Sequence, residues 1–178
     1  MDPRELTSAQ LRVLSHPSRI ALLRRLRTGG PATSRMLGRE FGIDSGAASY
    51  HLRTLAAGGL ILEDHERGTR RERWWRAADE VSQFDPAAHD DEDLSRQYVR
   101  AAALAQAEEL HRAAMTAGTA ERAWLEDTVF LDVALSLDPP SRARLKAELL
   151  AVIARYRRPE GGASSPSTVV QLQLYERR

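Results

Sequence analysis

Apolar residues recur at three- and four-residue spacing through the first third of the chain, and this period predicts helices. TSAQLRVL, residues 7–14, reads as a short helix that Thr7 or Ser8 can cap. In HPSRIALLRRLRTGG, Pro17 suits a first helical turn, Ile20, Leu22, Leu23 and Leu26 form an apolar face, and Gly29-Gly30 ends the helix. His16, just ahead of Pro17, reads as its cap. ATSRMLGREF predicts a third helix with Met36, Leu37 and Phe41 inward. After the turn GID, Asp44 or Ser45 caps a fourth helix, SGAASYHLRTLAA, which packs through Ala48, Leu52 and Leu55 and stops at Gly58-Gly59.

The pattern then changes. LILED, residues 60–64, and ERWWRA, residues 72–77, read as two strands of a hairpin across HERGT, with Gly68 supplying backbone freedom. Trp74 and Trp75 point to opposite faces, so at least one packs beneath the hairpin. Residues 81–92 read as a polar, acidic, proline-containing linker. Leu94 to Ala117 is Ala-rich and periodic through Leu94, Tyr98, Leu104 and Leu110, which predicts one long helix whose alanines at 101–107 form a close helix–helix seam in a dimer. In DTVFLDVALSL, Val129, Leu131, Val133, Leu135 and Leu137 alternate with less apolar residues, the period of a strand. DPPSRARLKAELLAVIARYRR follows as a helix with Leu145, Leu149, Val152 and Ile153 on one face. Beyond the loop PEGGASSPS, the alternation of Val170, Leu172 and Leu174 predicts a closing strand.

The expected fold class is therefore mostly α (α+β). Residues 1–80 form a winged helix-turn-helix domain, 81–92 a linker, and 93–178 a long dimerisation helix with a small strand–helix–strand unit.

The fourth helix is apolar on one side and lean on the other. Ser45, Gly46 and Ala47 are small, and Ser49, Tyr50 and Arg53 follow a turn later. A DNA major groove about 12 Å wide admits one helix, and small outer side chains let it approach the base edges. The lean face is expected to read DNA. Arg67, Arg70, Arg71, Arg73 and Arg76 crowd the adjoining hairpin, and Arg67, Thr69, Arg70, Arg71 and Arg73 suit phosphates or the minor groove. His51, next to Leu52, reads as a buried or backbone-bonded histidine rather than a base reader.

Four runs in order, LSHPSRIALLRRL, SRMLGREFGID, SGAASYHLRTLAAGGLI and RGTRRERWWRAA, resemble the ArsR-type winged-helix repressors over about residues 6–78. Ser49, His51, Leu52, Leu55, Gly59 and Leu60 match that family's recognition-helix run. The resemblance implies a homodimer joined through the first helix and the helix after the wing, which places Leu11, Leu94, Tyr98, Leu104 and Leu110 at the interface. It also implies a double-stranded inverted-repeat operator and release of a repressor by a signal. The chain departs from the metal-sensing members, whose thiolate pair it lacks, and the pairs His89 with Asp91 and Glu108 with His111 fit their other site poorly.

Composition narrows the rest. With no cysteine, the chain has no disulfide, thiolate zinc site or cysteine nucleophile. No motif for nucleophilic catalysis, phosphate cradling or dinucleotide binding occurs, so neither an enzyme nor a cofactor or metal is expected. Net charge is only +1, yet residues 1–80 carry 14 cations against 10 acids and residues 81–120 carry 3 against 7. The basic excess lies with the expected DNA-reading part. No apolar run approaches the roughly 20 residues that cross a bilayer, and MDPRELTSAQ lacks the features of a secretory signal, so a cytoplasmic protein with no membrane partner is expected. Without sulfur ligands, the 93–178 region is expected to dimerise and to line a pocket for a small organic effector. A winged-helix module that binds protein rather than specific DNA is the competing reading.

Overall fold

The computed structural model describes residues 4–68, 72–78, 82–83, 89–156 and 168–176. Its elements are β1 (Arg4–Glu5), α1 (Ser8–Leu14), α2 (Pro17–Gly29), β2 (Ala32–Thr33), α3 (Ser34–Phe41), α4 (Ser45–Ala57), β3 (Ile61–Glu63), β4 (Trp74–Ala77), β5 (Ser82–Gln83), α5 (Glu92–Ala117), α6 (Arg122–Glu126) and α7 (Pro139–Tyr156). They divide into two compact units, Met1–Gly118 and Thr119–Arg178.

Local signals start the helices of the first unit. Thr7 and Gln10 form a reciprocal capping box on α1, and His16 Nδ1 accepts from the Ser18 amide at 3.2 Å ahead of Pro17. Leu11, Leu14, Leu22, Leu23, Leu26, Leu37, Leu52, Leu55, Leu60 and Ile61 then share one core. Burying each such side chain contributes about 1.5–3 kcal/mol. Together they hold the helices as a single body.

Three strands cover one edge of that body in the order β2, β4, β3, all antiparallel, with Ala32 opposite Trp75 and Ile61 opposite Ala77. This is a winged helix-turn-helix fold followed by a long helix. Trp75 is the tryptophan that enters the core. The third strand was not legible as one: Ala32 and Thr33 read as the start of a helix, but two residues suffice to pair with β4, and Thr33 then caps α3 by accepting from the Met36 amide. Met36, expected inward, is exposed, while Leu37 beside it is fully buried.

The stretch expected to be a linker contains β5, which pairs in parallel with β1. Beyond it, α5 packs against α1 and α2, so the division of the chain falls after Gly118 rather than before this helix. The alanines explain the packing. Ala101 and Ala105 are buried against the same chain, and their small size lets α5 approach closely. The seam expected of a dimer is therefore, at these two residues, an intrachain one.

In the second unit the expected strand–helix–strand is corrected. The central helix is present as α7, but residues 129–137 and 168–176 are not paired as strands among the described residues. Alternation sets the face a strand would present. It does not supply the neighbour whose hydrogen bonds make it a strand. The intervening loop PEGGASSPS lies outside the described residues.

Candidate nucleic-acid interface

Between α3 and α4 lie only Gly42, Ile43 and Asp44, and the backbone there is tightly specified. Gly42 takes a left-handed conformation at φ 63°, which favours glycine, and the Ile43 amide closes back onto Gly38 O at 2.9 Å. Gly38 is itself a close-approach residue. A Cβ there would sit 2.9 Å from Ile43 O and 3.5 Å from Ser45 Cα, so the start of α4 lies against bare α3 backbone. Asp44 then opens α4, its Oδ1 accepting from the Gly46 amide at 2.7 Å and the Ala47 amide at 3.4 Å.

Helix α4 is buried through Ala48, Leu52 and Leu55, as the spacing predicts. Opposite them, Gly46, Tyr50, Arg53 and Ala57 form an exposed stripe, with Ser45 and Ala47 beside its start. Tyr50 is 61% exposed. Arg53 folds along the helix, its Nε donating to Ser49 O at 3.3 Å, and Ser49 itself is half-buried. The lean face is thus open in the chain, and its one cation is held parallel to the helix axis.

Behind this face the chain places a polar cluster that sequence pattern did not reveal. The rings of His16 and His51 stand 4.7 Å apart, with Tyr50 edge-on to His51. His51 Nδ1 and Arg19 Nε are buried without a hydrogen-bond partner among the described residues. Burial, then the Arg19 charge, holds the His16 pKa below the ordinary histidine value. Burial, then His16 and Arg19, does the same for His51. Both rings are thereby biased to the neutral form. Their signal lay in neighbouring helices, 35 residues apart in sequence, so no local pattern could join them.

On the wing, Thr69, Arg70 and Arg71 lie outside the described residues. On either side of them Arg67 and Arg73 are exposed, each facing an acid: Arg67 Nε is 3.6 Å from Asp64, and Arg73 Nε is 3.7 Å from Glu63. In both pairs the guanidinium is the exposed partner and the carboxylate the more covered one, so each arginine keeps donors open to solvent. Arg35 on α3 faces Glu72 at 3.7 Å in the same way. It was missed because an arginine on the polar side of an amphipathic helix carries no distinguishing pattern.

The five residues expected at a dimer interface separate. Leu11 and Leu94 lie in the core of their own chain, and Tyr98 packs against it. Leu104 and Leu110 remain exposed on α5, with Val99 and Met115. No group of three or more His, Asp or Glu side chains that could hold a metal is present among the described residues. No described helix is long and apolar enough to cross a membrane.

A cavity of about 360 Å³ opens between the N-terminus of α2, the α3–α4 turn and α5. Phe41, Ile43 and Leu104 line it, with Glu108 and Arg112 among its polar residues, and the Arg112 guanidinium lies 4.7 Å from the Phe41 ring centre.

Residues 14–64 match a protein family described as a helix-turn-helix domain. Comparison with curated protein sequences gives no match. Among solved structures, a MarR family regulator from Neisseria meningitidis is similar at 19% sequence identity and a TM-score of 0.33, over 78% of this chain and 74% of that one. The helix-turn-helix match, with the wing and the open face of α4, supports a DNA-binding regulator of transcription.

Proposed function

We propose that the protein is a homodimeric, sequence-specific repressor of the ArsR-like kind that reads an inverted-repeat operator in double-stranded DNA. The observation that carries this reading is the exposed stripe of α4, with Gly46, Tyr50 and Arg53 opposite the buried Ala48, Leu52 and Leu55. A helix spends its apolar face on the core and keeps a slim face with a guanidinium and a phenol for base edges. Arg53 and Ser49 are the leading base readers. Arg67, Thr69, Arg70, Arg71 and Arg73 act mainly on phosphates.

A dimer suits such an operator: two copies of α4 about a two-fold axis would enter successive major grooves roughly 34–36 Å apart. Leu104, Leu110 and the neighbouring exposed apolar residues of α5 are the surfaces open to a second copy. For a small organic effector, the cavity beside Phe41 and Ile43 is the best-placed site. Its walls belong both to the helix-turn-helix and to α5, so an occupant that prefers one arrangement of these elements shifts the DNA-competent population.

Selection from a random duplex pool tests the reading. Enrichment of palindromic fragments with half-sites one turn apart supports it; binding without sequence preference would favour a protein-interaction module instead. Arg53→Ala is expected to relax preference within each half-site. Arg67→Ala or Arg73→Ala should weaken all sequences alike and reduce the salt slope by about one each.

A further inference from the structure

We infer that residues 128–137 form the central strand pair of a two-fold dimer, each copy pairing antiparallel with the same stretch of a second copy. This inference rests on the homodimer reading above and is independent of the DNA reading.

Three observations carry it. The stretch is unfinished: Val129 to Leu137 run without helix, turn or strand pairing, and none of their backbone groups hydrogen-bonds to another backbone group among the described residues. It is also uncovered. Val129, Leu131, Val133, Leu135 and Leu137 are all exposed, Val129 to 84%, and no described residue of the second unit is buried. Ordering such a segment costs backbone entropy of about 1–2 kcal/mol per residue, which an uncovered face does not offset. An open edge with an apolar face is a template for another strand.

The third observation chooses the partner, because the segment is complementary to itself. Antiparallel pairing centred on Val133 sets Val129 opposite Leu137, Leu131 opposite Leu135, and Val133 opposite its own copy, all on one face. On the other face Asp132 meets Ala134 and Phe130 meets Ser136. Residues 126–138 hold Glu126, Asp127, Asp132 and Asp138 and no cation, yet this register puts no acid opposite an acid. A register centred on Asp132 would oppose two Asp132 carboxylates and also Glu126 with Asp138. A slip of one residue would turn apolar positions toward polar ones. Isologous pairing about a two-fold axis needs one surface that fits itself, and this segment has it.

The chain's lack of cysteine makes the register readable. In the full-length protein, Val133→Cys is expected to give a covalent dimer with a short bis-maleimide. Leu131→Cys and Leu135→Cys, co-expressed on differently tagged chains, should cross-link to each other and much less as single variants. Val133→Asp should weaken association by about tenfold or more in sedimentation, since two carboxylates then meet on the axis. A Val133→Cys protein that sediments as a dimer but gives no cross-link overturns the inference and leaves the dimer reading standing. Equal cross-linking of all three single variants overturns it as well. So does an intrachain cross-link in a Val133→Cys, Leu172→Cys double variant, which would make the partner the chain's own tail. A monomer at tens of micromolar sinks both readings, while operator selection still reports on the DNA reading.

Discussion

The two units of this chain use similar apolar patterns to opposite ends. In the first, Leu22, Leu37, Leu52 and Leu55 are fully enclosed by their own chain. In the second, Leu131, Leu135, Leu150 and Leu174 are comparably apolar and all exposed. The difference lies in the number of surfaces available. Helices α1 to α5 and a three-stranded sheet converge on one core, whereas the long helix of the second unit and the two stretches flanking it outside any strand ladder bury no side chain among the described residues. A hydrophobic pattern states which face must be covered, and the fold decides whether the cover comes from within.

Truncation of a leucine should therefore have very different effects in the two units. Leu52→Ala leaves a cavity between α4 and the core, and about 2–5 kcal/mol of unfolding stability should be lost. Leu131→Ala, measured in protein dilute enough to be monomeric, should change stability by no more than about 0.5 kcal/mol. Denaturant unfolding of both variants checks the pair. A large loss from Leu131→Ala in the monomer would mean that the second unit has an interior of its own.

A smaller effect separates folding from DNA reading within the first unit. Gly38→Ala forces a methyl to within 2.9 Å of Ile43 O, where the neighbour is backbone and cannot simply rotate away. A stability loss of about 1–3 kcal/mol is expected, together with a fall in operator affinity, because the entry of α4 must shift. Removing the cap by Asp44→Ala should cost less, about 1 kcal/mol, as the Gly46 and Ala47 amides lose their acceptor. Thermal melts and fluorescence anisotropy on a selected duplex read the two quantities separately. If Gly38→Ala bound DNA like the parent, close approach of α3 to α4 would not matter for binding.

Much of the first unit was legible because its information is local. Pro17, the Gly29-Gly30 pair, Asp44 and the Ala48, Leu52, Leu55 spacing each act within a turn or two of helix, and the structure shows α2 and α4 where they point. Ala32 and Thr33 read as helix because their strand character comes from β4, about 40 positions away. In the sequence Ala101 and Ala105 point equally to a second copy or to the same chain, because small residues announce close approach without naming the neighbour; the structure buries them in their own chain. The lean face of α4 was visible as a spacing. The cluster of His16, Arg19 and His51 was not, since it is assembled by helix crossing rather than by any one segment.

That cluster gives the smallest predicted effect, and one confined to the first unit. Both histidines have native pKa values held below the ordinary 6.5, chiefly by burial and then by neighbouring positive groups. In the unfolded chain burial and neighbours are gone, so the unfolded state takes up protons first as pH falls. Stability should accordingly be full above the ordinary histidine value, decline as pH drops through about 6.5, and level off below the native values. Geometry gives the same sign. His16 Nδ1 accepts from the Ser18 amide, and a proton on that nitrogen would abolish the cap. Titrating denaturant stability from pH 8 to 5 in the parent, His16→Asn and His51→Gln tests it: each variant should show a shallower decline, with Asn keeping an acceptor for the Ser18 amide. A parent whose stability rises on acidification, or variants with an unchanged slope, would mean that folding does not hold these two rings in the neutral form.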